Sequence, residues 1–204
     1  MAASGFAKIV ADIVNTQEVW YSAVEIFFKQ GPNVGRTPWH QDTAYSPYVG
    51  GNGAVCGSAS SHCWSTIHLR LFSSHQGPQY DGSAYDDPSN PSKPLHGGIH
   101  WPPRPDIERE RRLNPQAWPI LSFPSEPGDV IVFHPHSLHG GAPLSEDCPV
   151  RHILILRLFG DDAVYRPLPP GSQSLWGGNI GPREEFRGLV AGESRCCDRF
   201  LRLR

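Results

Sequence analysis

The chain has 204 residues, room for one domain with a substantial core and too few for two comfortable ones. Its formal charge of −2 argues against a general nucleic-acid or membrane-surface binder. No run of about 18 apolar residues exists, so no membrane-spanning helix is expected. Met1–Lys8 lacks the basic start and long apolar stretch of a signal peptide, which predicts an intracellular protein of the cytoplasm or an organelle.

Glycine and proline each number 21, a proportion that suits a β-rich fold with many turns. In chain order, Phe6, Ile9, Val10, Ile13 and Val14 form the stripe of an amphipathic helix over residues 5–16. Residues 18–29 then turn β-branched and aromatic, as a strand or strand pair would. A loop through Gly31 and Gly35 leads to Thr37–Asp42. Residues 50–98 show no sustained period, and only Thr66–Phe72 reads as a strand; so long a structureless stretch is suspect inside a compact domain. Residues 101–112 read as an exposed loop with a short charged helix, its mixed charges a solvated face. Strands are expected at Trp118–Phe123 and Asp129–His134, separated by a turn at Ser125–Gly128. A third, Arg151–Phe159, is apolar on both faces, so cover on both sides is expected. The five cysteines show no C-x-x-C spacing, which points to reduced, structural thiols. Short strands and tight turns suggest a β-sandwich or jelly roll with the helix packed outside.

The chemistry gathers at a few positions. In an extended segment, His40 and Asp42 project to the same side and can meet one metal ion. Two histidines and one carboxylate make the facial triad of non-haem Fe(II) oxygenases, yet an isolated His-x-Asp is more often a surface turn. The second half supplies the third ligand. The strand Asp129–His134 runs on to His134, His136 and His139, and His139 stands before Gly140 and Gly141, where backbone crowding is relieved. His134 and His136 read as rim or partly buried histidines. Arg151 follows His139 by twelve residues. At the start of an apolar strand its guanidinium needs a carboxylate, either an acid such as Asp129 or Asp147 or the far end of a bound dicarboxylate. Arg157, on the same strand face, is a second candidate. Trp39, Gln41 and Tyr45 flank the ligands and shape the pocket or pack.

At these residues the sequence resembles the phytanoyl-CoA dioxygenase family. The matching stretches are Thr37–Tyr45, Pro102–Ile107, Ile120–Gly140 and Arg151–Ala163, and their common order is more specific than any one of them. The resemblance implies a mainly β fold, a double-stranded β-helix of the jelly-roll, cupin-like kind with a flanking N-terminal helix. It implies Fe(II) held by His40, Asp42 and His139, and 2-oxoglutarate bound through Arg151. The implied reaction hydroxylates a small organic substrate with O2, without nucleic-acid partners, while 2-oxoglutarate is oxidised to succinate and CO2. An intact Asp42 favours hydroxylation, since related halogenases carry a small residue there. The chain departs from the family in a short N-terminus and in residues 50–80, which read as an altered exon with a barrel strand missing. The expected organisation is therefore one dioxygenase-like domain over residues 1–204, N-terminally short and irregular at 50–98. Two rivals remain at this level: an inactive or fragmentary relative that keeps the ligands, and a cupin-like metal enzyme that does not use 2-oxoglutarate.

Overall fold

The computed structural model describes residues 5–31, 34–42, 46–50, 53–59, 67–69, 105–116, 118–121, 125–135, 137–146, 149–167, 187–194 and 198–203. The first helix, α1, spans Gly5–Val14. It ends short of residue 16 because Asn15 takes a left-handed φ of 55°, and the amide of Thr16 closes back on the Ala11 carbonyl at 3.0 Å. Its buried edge is not the expected stripe. Ala7, Val10 and Ala11 are buried, with Phe6 and Val14 partly so, while Ile9 and Ile13 stay 57% exposed. The alanines bring the helix axis close to the sheet and turn the two isoleucines outward.

That sheet has four strands: β1 (Trp20–Gln30), β8 (Val150–Phe159), β4 (Ala54–Ala59) and β6 (Ile131–Phe133), antiparallel in that order. β4 corrects the reading of residues 50–98. It lies in mid-sheet between β8 and β6, so no barrel strand is missing at this place. Ala54, Val55 and Cys56 are each 1–2% exposed, which removes the polar alternation that marks a half-buried strand. Ala54 and Cys56 pack with Leu158 against Val10 of α1. A leucine-sized residue at 54 or 56 would hold the helix away.

Beyond α1 the outer face of β8 is uncovered, contrary to the expected two-sided cover: Leu154 is 42% exposed while Leu158 is 1% exposed. The alternate residues of the strand, Arg151, Ile153, Ile155 and Arg157, project to the opposite face.

A second, three-stranded antiparallel sheet has the order β2 (Thr37–His40), β7 (His139–Gly141), β5 (Ile67–Leu69). A two-stranded ribbon pairs β3 (Tyr48–Val49) with β9 (Val164–Tyr165). Near the ribbon, Phe159, Trp20, Tyr48 and Phe200 form an aromatic cluster, and the amide of Leu203 bonds the Val19 carbonyl at 2.8 Å. The C-terminal segment thus closes over the start of β1.

The expected turn is present. The Asp129 amide reaches the Glu126 carbonyl at 3.0 Å, with Pro127 and Gly128 central and Gly128 at φ 103°, a value that favours glycine. The strand after it is shorter than expected, at 131–133, and the strand expected at 118–123 does not form over 118–121. Trp118 is buried there instead, its indole donating to Glu110 at 2.5 Å. Glu110 belongs to the charged helix α2, Ile107–Leu113, capped by Asp106. Its acids are not simply solvated. Glu108 accepts the Trp39 indole at 2.8 Å and pairs with Arg36, and Ile107 packs with Trp39, Trp118 and Leu138. The helix is thereby fixed to the strand that ends at His40.

Of the cysteines, Cys56 is a free, buried thiol that burial pushes up to about 12; Cys63, Cys148, Cys196 and Cys197 lie outside the described residues. No helix among the described residues is long and apolar enough to cross a membrane. Side chains from the four-stranded sheet reach across to the three-stranded one, which makes the body a jelly-roll sandwich with a polar centre between its layers.

Candidate metal centre

The pairing of β2 with β7 sets His40 directly opposite His139, their rings 4.1 Å apart. The two strands approach this closely because residue 140 is glycine. A Cβ there would stand 2.9 Å from the Thr37 carbonyl oxygen. Asp42 follows β2 by two residues, and its backbone carbonyl accepts the Ser46 hydroxyl at 3.0 Å. The carboxylate is 1% exposed, and its Oδ1 lies 3.6 Å from His40 Nε2 and 3.9 Å from His139 Nε2. His40, Asp42 and His139 bring their ligand atoms within 4.8 Å of one another.

Hydrogen bonding fixes what these atoms can do. His40 Nδ1 lies 2.8 Å from the Pro38 carbonyl and His139 Nδ1 3.0 Å from the Ser137 carbonyl. A carbonyl only accepts, so each Nδ1 carries the hydrogen, and in the neutral ring Nε2 is left bare. Burial and the neighbouring His40 lower His139 to about 4, which keeps its ring neutral. Burial works to raise Asp42, but Arg157 and the two imidazoles outweigh it and hold the carboxyl at about 2. With each Nδ1 engaged by a carbonyl, the remaining ligand atoms, two Nε2 and the Asp42 carboxylate, face one another. Asp42 Oδ2 is also buried without a hydrogen-bond partner. A divalent cation with nitrogen and oxygen ligands satisfies this set, and the Nδ1–carbonyl bonds are the supports that orient metal-binding imidazoles.

Arg151 is 3% exposed at the start of β8. It donates from NH1 to the Ala142 carbonyl at 2.8 Å and from NH2 to Pro143 at 3.4 Å, and its Nε is buried without a partner. Asp129, one of the acids considered for it, instead caps the Glu126 amide through Oδ2; Asp147 lies outside the described residues. Lys29 is Arg151's ladder partner on β1, and it donates to Thr37 Oγ1 at 2.7 Å. Burial and Arg151 both lower Lys29, and burial lowers Arg151. No ion pair to either cation is found among the described residues. Lys29 was not visible in the sequence, because its partner lies on a strand more than a hundred residues away. Thr37 pairs with Gly141, two residues from His139 on β7 and three from His40 on β2 across a register shift, so the two cations stand roughly 7 Å along the strands from the imidazoles.

Arg157, the second candidate for the dicarboxylate, is already engaged. NH1 contacts Glu25 Oε2 at 2.6 Å and NH2 donates to Asp42 Oδ1 at 3.2 Å. Glu25 Oε2 nonetheless lacks a well-aligned hydrogen bond, so the first contact is an ion pair rather than a directed bond. Trp39 packs behind the ligands, with Arg36 over its ring at 5.5 Å, and Gln41 is buried. Tyr45 and His136 lie outside the described residues. His134 lines a separate cavity with Ser46, Tyr48 and Asp162, with room for about one water molecule, too small to be a substrate pocket.

The sequence model of the phytanoyl-CoA dioxygenase family matches residues 2–153. No curated protein matches the chain. Among solved structures, the fold is similar to that of the non-heme alpha ketoglutarate dependent carbocyclase SnoK from nogalamycin biosynthesis, with a TM-score of 0.65 and 14% identity over 98% of this chain and 68% of that one. It is also similar to the epimerase SnoN in complex with Fe3+, alpha ketoglutarate and nogalamycin RO, with a TM-score of 0.59 and 16% identity over 100% and 72%. At such identities these likenesses speak for the fold, which is the jelly roll expected from the sequence.

Proposed function

The chain belongs to the phytanoyl-CoA dioxygenase family, and we propose that it is a single-domain Fe(II)- and 2-oxoglutarate-dependent oxygenase that hydroxylates a small organic substrate with O2. His40, Asp42 and His139 are the proposed ligands, leaving the remaining iron positions for co-substrates. The observation that carries this reading is the convergence of two Nε2 atoms and a buried carboxylate, with each Nδ1 engaged by a backbone carbonyl.

Arg151 takes the far carboxylate of 2-oxoglutarate in this reading, with Lys29 beside it. Its unpartnered Nε and its lack of a described acid partner support the assignment. The separation along β2 and β7 suits a diacid that chelates iron at one end. Fe(II), when bound, supplies the oxidising chemistry with O2 and electrons from decarboxylation of 2-oxoglutarate. The protein's own part is to hold three ligands in one orientation and to keep the far carboxylate on buried Arg151 and half-buried Lys29. That carboxylate gains there because Arg151 and Lys29 are already desolvated and their mutual repulsion is relieved.

Anaerobic titration with Fe(II) and 2-oxoglutarate tests the proposal through the visible charge-transfer band of the chelate. Arg151→Ala is expected to raise the 2-oxoglutarate Kd by roughly 10–100-fold with Fe(II) affinity kept, the range for loss of a charge-assisted contact. No band in the wild-type chain, or a band unaffected by Arg151→Ala, counts against it. Succinate formation without substrate separates a working centre from a silent one.

A further inference from the structure

Among the described residues, Arg157 is the cation hydrogen-bonded to the ligand set itself, and the proposed reaction gives it no task. It stands on β8 opposite Ala23 of β1 and Val55 of β4, next to the register shift between Tyr21 and Ala23. Its side chain is 14% exposed. The guanidinium is forked between two acids: Glu25, two residues along β1, and Asp42, just past the end of β2 and 115 residues away in the chain. The contact to Glu25, at 2.6 Å, is short; that to Asp42, at 3.2 Å, is long for a charge-assisted bond and uses one carboxylate oxygen only. Glu25 thus acts as a tether, and Asp42 is held lightly enough to be shared.

The charges show why such a cation is needed. A carboxylate that is 1% exposed costs several kcal/mol to bury unless a cation stands beside it. The two imidazoles make no hydrogen bond to that carboxylate, their Nε2 atoms standing 3.6 and 3.9 Å from Oδ1. The guanidinium is the cation hydrogen-bonded to the Asp42 carboxylate among the described residues. We propose that Arg157, tethered by Glu25, is a positioning residue that serves as the standing counter-cation of Asp42 while the centre is metal-free, keeping its carboxylate turned toward His40 and His139. This deepens the metal-centre reading above and rests on it. Its consequence is a division between the two states: the metal-free fold depends on Arg157, and the metal-loaded fold, whose ion takes over Asp42, depends on it less.

The test uses the full chain and Mn(II) alone as the metal, with Tm read by circular dichroism in its absence and at saturation. Arg157→Met is expected to lower the metal-free Tm by roughly 10 °C and the Mn(II)-saturated Tm by less than half as much, so the rise on adding Mn(II) grows. Arg157→Lys, which keeps the charge, recovers at least half of the metal-free loss. Asp42→Asn raises the metal-free Tm in the Arg157→Met background and not in the wild type, because the double change leaves no unpaired buried charge at position 42. Should Arg157→Met fail to fold alone, recovery of a folded metal-free protein by the double variant supports the inference and continued failure overturns it. Equal losses with and without Mn(II), or an Asp42→Asn effect that is the same in both backgrounds, would show a packing role only and sink the idea. A wild-type chain with no Mn(II) response overturns the metal centre itself, an outcome distinct from a normal response with parallel losses.

Discussion

The strand that carries Arg151 and Arg157 runs for ten residues and is paired along both flanks; the strand that carries His139 runs for three. The same contrast holds across the sandwich. The four-stranded sheet supplies the positive groups, Lys29, Arg151 and Arg157, from the inner face of a long register. The three-stranded sheet and the turn after it supply the lone-pair donors, His40, Asp42 and His139, from segments too short to be held by ladder bonds alone. Each donor is fixed by something else: a carbonyl on each Nδ1, the Ser46 hydroxyl on the Asp42 backbone, and α2 through the Trp39–Glu108 bond. Stability and chemistry are thus separable here, and changes in the two sheets should be felt differently.

The largest effect is expected from removing a donor on the short sheet. His139→Ala should weaken Fe(II) binding by well over ~100-fold, beyond the loss typical of a merely supporting group, while the metal-free Tm stays within a few degrees of wild type. Calorimetric titration beside thermal melts checks this, and a collapse of the metal-free fold would blur the proposed division. Next comes the long sheet. Leu158 is 1% exposed beneath α1, and Leu158→Ala should cost about 2–5 kcal/mol in urea unfolding with Fe(II) affinity of the folded protein within a few-fold of normal. A parallel loss of metal binding would mean that the two sheets are not independent. The smallest effect sharpens the comparison at its seam. Gly140→Ala places a Cβ 2.9 Å from the Thr37 carbonyl oxygen, so β2 and β7 must separate. We expect about 1–3 kcal/mol of destabilisation together with a measurable loss of Fe(II) affinity, because the same shift parts His40 from His139. A stability loss with unchanged metal binding would show that the imidazoles tolerate the separation.

Much of the site could be read from the chain as written. His-x-Asp in an extended segment, a histidine before a glycine pair and an arginine opening an apolar strand are local patterns, and each expresses the chemistry of its own residues. Helix α1, strands β1 and β8 and the Pro127–Gly128 turn were legible for the same reason: alternation, 3.6-residue periodicity and glycine's freedom at positive φ act over a few residues. Strand β4 was not legible. Its small residues follow from a demand made elsewhere, the close approach of α1 over Ala54 and Cys56.

What the tertiary structure alone decided is who meets whom. The sequence names Arg157 as a candidate for a dicarboxylate, but the fold gives it to Asp42 and Glu25. Lys29 reads as an ordinary strand lysine, but the ladder puts it opposite Arg151 and its side chain on Thr37. Even His40 and His139 become a pair only through the register of β2 on β7. Local pattern settles which face a side chain takes, because backbone geometry repeats every few residues. Partnership across a hundred residues is settled by which strands can be neighbours, and that is fixed by the packing of the whole sandwich.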